Sequence, residues 1–408
     1  MSDTVLAPGT DAAVLGDELP RSAPGSHRVL KLVLLGLALV ALLLAPIFVE
    51  EFWLRTGFGV FGAIIGAIGL NLLVGTTGQL SLAHAFFLAI GASTYVFVSG
   101  SAGGTATEVQ GLGLPPLLGL VLGVLLAGLA GLLFSPIAAR LRGIYLGVAS
   151  LGLVFIGQHL LNTLTAVTGG FNGRTTPEFS LFGFTFGDED PDLFVAGVEF
   201  DEAERLWYLG LFLAVVAFVF ARNLLRSRPG RALQTLRDSE VAAAVMGVNV
   251  SVYKARVFLV SSMYAGLAGV LLALSIGSIA PESFALEVSV LYLAMIVLGG
   301  LGSVGGAALG AAFVSALPVV FQRYADSLPL VSQPGEGGIT AAQGARILFG
   351  LCIIAVVLFE PAGLVGLGRR IRGLFTRGSS SGRPGRSTTD SSTSTPVPST
   401  PPAQGSTP

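Results

Sequence analysis

Apolar residues fall into long runs along this chain, separated by short polar breaks. A helix needs about 20 apolar residues to cross the hydrocarbon core of a bilayer. Runs of that kind lie near 31–49, 57–76, 80–99, 115–138, 143–164, 206–222, 257–279, 286–300, 303–322 and 345–361. The pattern predicts an all-α fold: a polytopic membrane helix bundle with about ten transmembrane spans. Two joints are tight. Only Thr77 to Gln79 separates the second run from the third, and a glycine-rich turn separates the eighth from the ninth. The first run, Leu32 to Val49, is too long for the core of a secretory signal and reads as a retained span.

Composition agrees. The chain is 52% hydrophobic and 12% charged, with a mean hydropathy of +0.78. Soluble globular proteins carry about 25% charged residues. Half that density cannot cover a water-soluble body of this size, so the lipid bilayer is the first expected partner. The one cysteine, Cys352, excludes a disulfide framework within the chain and a cysteine-rich metal site. No cofactor, metal or nucleic acid is expected on this chain.

Charge tests the segmentation independently, because cytoplasmic loops carry excess Lys and Arg. With the N-terminus inside and ten spans, 18 of the 23 basic residues fall inside; only Arg55, Arg174, Arg205, Arg323 and Arg346 fall outside. Both termini are therefore expected to be cytoplasmic. Residues 1–27 and 378–408 are polar, the latter rich in Ser, Thr and Pro, and cannot bury enough apolar area to order themselves. They read as disordered tails around a transmembrane domain at 28–377. Residues 165–205 form one long outside loop, in which TGGFNG precedes the acidic run 188–192. A solvated loop and a docking face for an extracytoplasmic partner both fit it.

The inside loop 223–256 is the most informative segment. Its middle predicts a short helix at about 239–246, with Asp238 as N-cap, Glu240 at the positive end of the helix dipole and Gly247 closing the C-terminus. Such a helix is too short to stand alone in water. It either enters a groove on another protein, offering Ala242, Ala243, Val245 and Met246, or lies on the membrane surface as a linker.

Glu240, Ala242, Ala243 and Gly247, with Gly230, Arg231, Ala232 and Asn249 around them, resemble the EAA loop of ATP-binding-cassette (ABC) importer permeases. The form GRAL-x5-DSE-x-AA-x3-GVNV is similar to the branched-chain amino acid uptake family. Gly69 to Leu72, Gly75 to Leu82 with His84, Gly91 and Ala92, Leu141 to Leu146, Thr168 to Gly173, and Val297 to Ser303 with Gly306 and Gly310 resemble it in the same order, over about residues 55–365. The I-x-L-P ending of the fuller EAA pattern is missing, and Arg174 with the acidic insert lies outside the family pattern.

The resemblance implies a permease subunit in the bacterial plasma membrane, not an enzyme, and an importer of branched-chain or related hydrophobic amino acids. It implies a second homologous permease subunit, cytoplasmic ABC ATPase subunits that use ATP, and an extracytoplasmic solute-binding protein. Arg237, Asp238, Glu240, Ala242, Ala243 and Gly247 would then couple to an ATPase. The ATPase must be another chain, because neither Lys31 nor Lys254 completes a G-x4-G-K-[ST] loop.

Polar residues in or near spans either bridge packed helices or line a pathway. Asn71, Gln79, Ser81 and His84, with Asn172 from the outside loop, are the pathway candidates; Gln158, His159 and Asn162 are further polar residues of the spans. Gly62 and Gly66, and Gly302, Gly306 and Gly310, stand at four-residue spacing that lets helices approach closely. The alternative function is a secondary transporter or channel, working alone, for a small polar solute such as urea or an amide. It leaves the loop 223–256 without a purpose.

Overall fold

The computed structural model of the chain describes residues 25–102, 110–141, 143–187, 194–195, 198–324, 340–359 and 363–366. All of these residues fall in one compact unit. Nearly all of the N-terminal tail, the acidic run 188–192 and the whole of 378–408 lie outside the described residues.

In chain order the helices are α1 (Gly25–Phe48), α2 (Glu51–Thr77), α3 (His84–Ser99), α4 (Pro116–Arg140), α5 (Ile144–Thr163), the single turn α6 (Thr165–Thr168), α7 (Glu202–Arg226), α8 (Arg228–Asp238), α9 (Glu240–Val245), α10 (Val250–Ile276), α11 (Leu286–Gly299), α12 (Val304–Arg323) and α13 (Ala341–Phe359). Two-residue strands decorate the loops. β1 (Arg174–Thr175) pairs antiparallel with β6 (Ser278–Ile279), and β2 (Ser180–Leu181) with β3 (Phe184–Thr185). β4 (Phe194–Val195) pairs with β5 (Val198–Glu199).

The protein is an all-α multi-pass membrane protein. Helices α2, α4, α5, α7, α10 and α12, and the stretch Pro281–Gly299 ending in α11, are long and apolar enough to cross a bilayer. Shorter apolar helices run over Gly36–Phe48, His84–Ser99 and Gln343–Ala355. Helices that are hydrophobic all round belong in the middle. Accordingly α2 and α10 are mostly buried, 67% and 72% of their apolar windows, whereas α4 and α7 bury 33% and 28% and turn leucines, valines and phenylalanines outward.

Glycine sets how closely the central helices pack. Gly91 on α3 lies against Gly266 on α10, and Gly299 at the end of α11 lies against Gly306 on α12, with no room for a Cβ at either crossing. Gly310 is held against the Met295 carbonyl in the same way. Of the four-residue series at the end, Gly302 belongs instead to the α11–α12 turn, where its φ is +81°.

Contacts at the helix ends sort several of the helices into two sets of termini. At one end Arg55 of α2 bonds Glu202 of α7, Arg323 of α12 stacks over Phe52, and Gly100 after α3 lies near Arg174. At the other end Arg237 after α7 reaches Gly75 of α2, and Gly363 packs on Gly300.

Three expectations change. The span expected from residue 80 begins at His84, because Gly78 closes α2 in the left-handed region at φ +68° and residues 78–83 are not helical. The loop 223–256 holds two short helices, α8 and α9, separated by the extended Ser239. Asp238 is therefore the last residue of α8, and Ser239 is the N-cap of α9, its hydroxyl accepting from the Ala242 amide at 3.2 Å. His159 and Asn162 lie on the exposed side of α5, away from the interior.

Candidate functional site

The polar excursion at one end is built as a rigid arm. Pro229 starts α8, and its apolar positions Gly230, Leu233 and Leu236 recur every three residues, so one face is buried. Leu233 joins a cluster with Leu73, Phe134, Leu146 and Phe258, where α2, α4, α5 and α10 meet. Helix α9 ends in a complete Schellman motif. The Gly247 amide bonds the Ala244 carbonyl at 3.0 Å, the Val248 amide bonds the Ala243 carbonyl at 3.0 Å, and Gly247 takes φ +82°. Asn249 then caps α10 through the Val252 amide.

The faces of α9 are unequal. Ala243 is fully buried, while Val241, Val245 and Met246 are 70%, 84% and 65% exposed, beside exposed Ala242. Three large apolar side chains exposed on a short knuckle call for a cover, another protein or the membrane surface. Glu240 points the other way, to Lys254 of α10. Lys254 Nζ lies 2.6 Å from Glu240 Oε1 and is fully buried. The contact has the distance of an ion pair but not the angle of an ordinary hydrogen bond.

The arm is also tied to the membrane core. The Arg237 guanidinium donates from Nη1 to the Gly75 carbonyl at 2.8 Å, and Gly302 of the α11–α12 turn lies beside the same nitrogen. The Gly302 amide in turn donates to Asn71 Oδ1 at 2.9 Å. Arg237, Gly75, Asn71 and Gly302 thus link the arm, α2 and the α11–α12 turn.

From there polar residues continue inward. His84 is hydrogen-bonded to the Gly66 backbone, and its ring lies 4.7 Å from that of Tyr292. Gly66 precedes the end of α2 by eleven residues, about 16 Å of helix at 1.5 Å per residue. Residues 78–83 therefore double back along α2, a distance that six extended residues cover at about 3.3 Å each. Irregular backbone at membrane depth requires buried partners. Ser150 of α5 accepts from the Leu82 amide at 2.8 Å, and Ser289 of α11 accepts from the Ala85 amide at 2.9 Å. Ser81 accepts from the Ala83 amide. Among the described residues, Asn71 Nδ2, both Gln79 amide atoms and His84 Nε2 are buried without a hydrogen-bond partner. Buried polar atoms of this kind are rare and need an account.

Asn172 does not join this group. It is exposed at the opposite end and lines a cavity of about 450 Å³ with Gly100, Arg174 and Ser278. Arg174 is buried there, donating to the Val167 carbonyl at 2.9 Å beside the Phe97 ring. Burial lowers the pKa of its guanidinium.

Asn71, Gln79, Ser81 and His84 are thus each buried along α2 and the return 78–84, with Arg237 bonded to Gly75 of α2. Sequence patterning passed over Tyr292, Ser150, Ser289 and Lys254. Only Lys254 left a trace, as one of two lysines in an arginine-rich chain.

These features define a helical, multi-pass membrane protein with a polar interior segment and a short arm at one end. Residues 57–357 match the family described as branched-chain amino acid transport system / permease component. The high-affinity branched-chain amino acid transport system permease protein LivM of Salmonella typhimurium is 37% identical over 253 residues, covering 59% of this chain and 56% of that protein. The Escherichia coli protein of the same name is 36% identical over 253 residues with the same coverage. The probable branched-chain amino acid transport permease protein LivM of Methanocaldococcus jannaschii is 24% identical over 328 residues, 76% of this chain and 88% of that protein. The chain spans little more than half the length of the first two relatives. No solved structure matches it. The chain belongs to the family of branched-chain amino acid transport system permease components.

Proposed function

We propose that this chain forms part of the solute pathway of an ATP-driven importer for branched-chain or related hydrophobic amino acids in a bacterial plasma membrane. Its residues 28–377 make up the permease domain, with ten spans and both tails in the cytoplasm. The partners are a second homologous permease, cytoplasmic ABC ATPases and an extracytoplasmic solute-binding protein.

The observation that carries this reading is the arm. Its α9 knuckle is exposed and apolar, and a groove on an ATPase would cover Val241, Ala242, Val245 and Met246, with Asp238 beside them. Glu240, Ala243 and Gly247 hold the knuckle in shape. Arg237 passes its movement to α2 and to the α11–α12 turn. Asn71, Gln79 and Ser81, with His84 beyond them, offer hydrogen-bonding groups along the pathway, and the three uncharged side chains suit a zwitterion better than fixed charge would. Asn172 stands at the external entrance. A transporter working alone gives the arm nothing to do.

The test is reconstitution of the chain with its ATPases, second permease and binding protein in vesicles. Leucine uptake should require ATP and the ATPases. Uptake by this chain without them would overturn the reading.

A further inference from the structure

Between α2, α10, α11 and α12 lies a cavity of about 430 Å³, within the range of about 300–1,000 Å³ typical of small-molecule sites. Its walls are aliphatic: Ala63 from α2, Leu272 from α10, Leu291 and Met295 from α11, and Val314 from α12. Its inner end is Tyr292, whose ring lies over Gly66 and against His84. Its outer end is polar, with Thr56, Ser275 and Arg55. Arg55 is bonded there to Glu51 at 2.7 Å and to Glu202 at 3.1 Å, so both signs of charge stand at the mouth.

We propose that this cavity is a binding site for the branched aliphatic amino acid within the single chain, a deepening that rests on the importer reading above. The aliphatic walls take the branched side chain, and the hydroxyls and mixed charges at the mouth take the zwitterionic end. Apolar walls with a few convergent polar groups are the usual make-up of such sites. The small residues of α2 are what open the space, since Gly59, Gly62 and Ala63 all line it. Tyr292 stands between the cavity and buried His84. The solute therefore reaches the phenol ring before it meets the inward polar residues.

Ser315 of α12 also lines the cavity and is half-buried, and Cys352 is the one native cysteine. A Cys352→Ser background carrying Ser315→Cys therefore gives a single reporter thiol, and Thr56→Cys gives a second at the mouth. Each variant, in the assembled complex in vesicles, is reacted with a charged, water-soluble methanethiosulfonate reagent. The thiol should react, and leucine at ten times its half-protecting concentration should slow the reaction about tenfold by simple occupancy; glutamate at the same concentration should not. Reaction only with a lipid-soluble maleimide would show an acyl chain in the cavity and overturn the proposal. Equal rates with and without saturating leucine at both thiols would overturn it too. ATP-driven uptake by the unmodified complex is scored separately: its loss counts against the importer reading, and leucine protection still decides the cavity.

Discussion

Glu240 on α9 and Lys254 on α10 form an ion pair across 2.6 Å, and the lysine is sealed from solvent. The carboxylate that the family resemblance places at an ATPase contact also holds its own helix against the bundle. A six-residue helix has no stability of its own, so the ion pair, the Ser239 cap and the Schellman turn together give the arm its shape. Removing one partner of a buried pair costs about 3–5 kcal/mol, because the other charge is left stranded. Glu240→Ala should therefore destabilise the purified protein by about 3 kcal/mol, and adding Lys254→Met should restore most of that loss. Thermal unfolding in detergent of both single variants and the double variant measures it. An unchanged melting temperature for Glu240→Ala alone would remove the brace from the account.

The exposed side of the arm predicts a different phenotype. Val241→Asp with Val245→Asp removes two apolar side chains, each worth about 1.5–3 kcal/mol when fully covered. ATPase capture by the permease should weaken at least tenfold, about 1.4 kcal/mol, while membrane insertion and melting temperature stay near the parent values. Undiminished capture would exclude the knuckle as the docking point.

Arg237 is exposed beside Asp238 yet tied to the bundle. It bonds Gly75 and borders Gly302. Arg237→Ala should leave ATPase capture intact and raise the ATP hydrolysed per leucine moved by about fivefold or more, the size of a typical coupling between sites. A parallel loss of capture and uptake, with an unchanged ratio, would make it a docking residue instead.

Close packing at the α11–α12 turn gives a stability test. A side chain at Gly310 meets the Met295 carbonyl, on backbone that cannot move aside cheaply. Gly310→Val should cost about 1–3 kcal/mol, read as a lower melting temperature in detergent. Gly305→Ala, with open space around the added methyl, is the matched control and should leave it unchanged.

Much of the fold was legible in the primary structure because lipid imposes a simple rule. Apolar runs mark membrane helices, and the placement of arginines sets their alternation. Cap chemistry likewise located the short helix of the arm and its closing glycine, Gly247. What escaped were relationships that need the third dimension. Asp238 looked like the N-cap because Asp and Ser are both good caps one residue apart; only the backbone shows that Ser239 is the extended residue. Glu240 carried no sign of its partner, since Lys254 lies fourteen residues on with α9, a turn and the start of α10 between. The run 80–99 read as uniformly helical because hydropathy cannot distinguish a helix from a non-helical segment such as 78–83, whose Leu82 amide bonds Ser150. Tyr292 was one more aromatic in an apolar run until α11 was placed beside His84.

Those serine contacts have a bearing on how the protein is made. The Leu82 amide finds its partner 68 residues downstream and the Ala85 amide finds its partner 204 residues downstream. While the ribosome is still translating α4, neither hydroxyl exists. The native pairing of these two amides is therefore complete only once α11 has been synthesised.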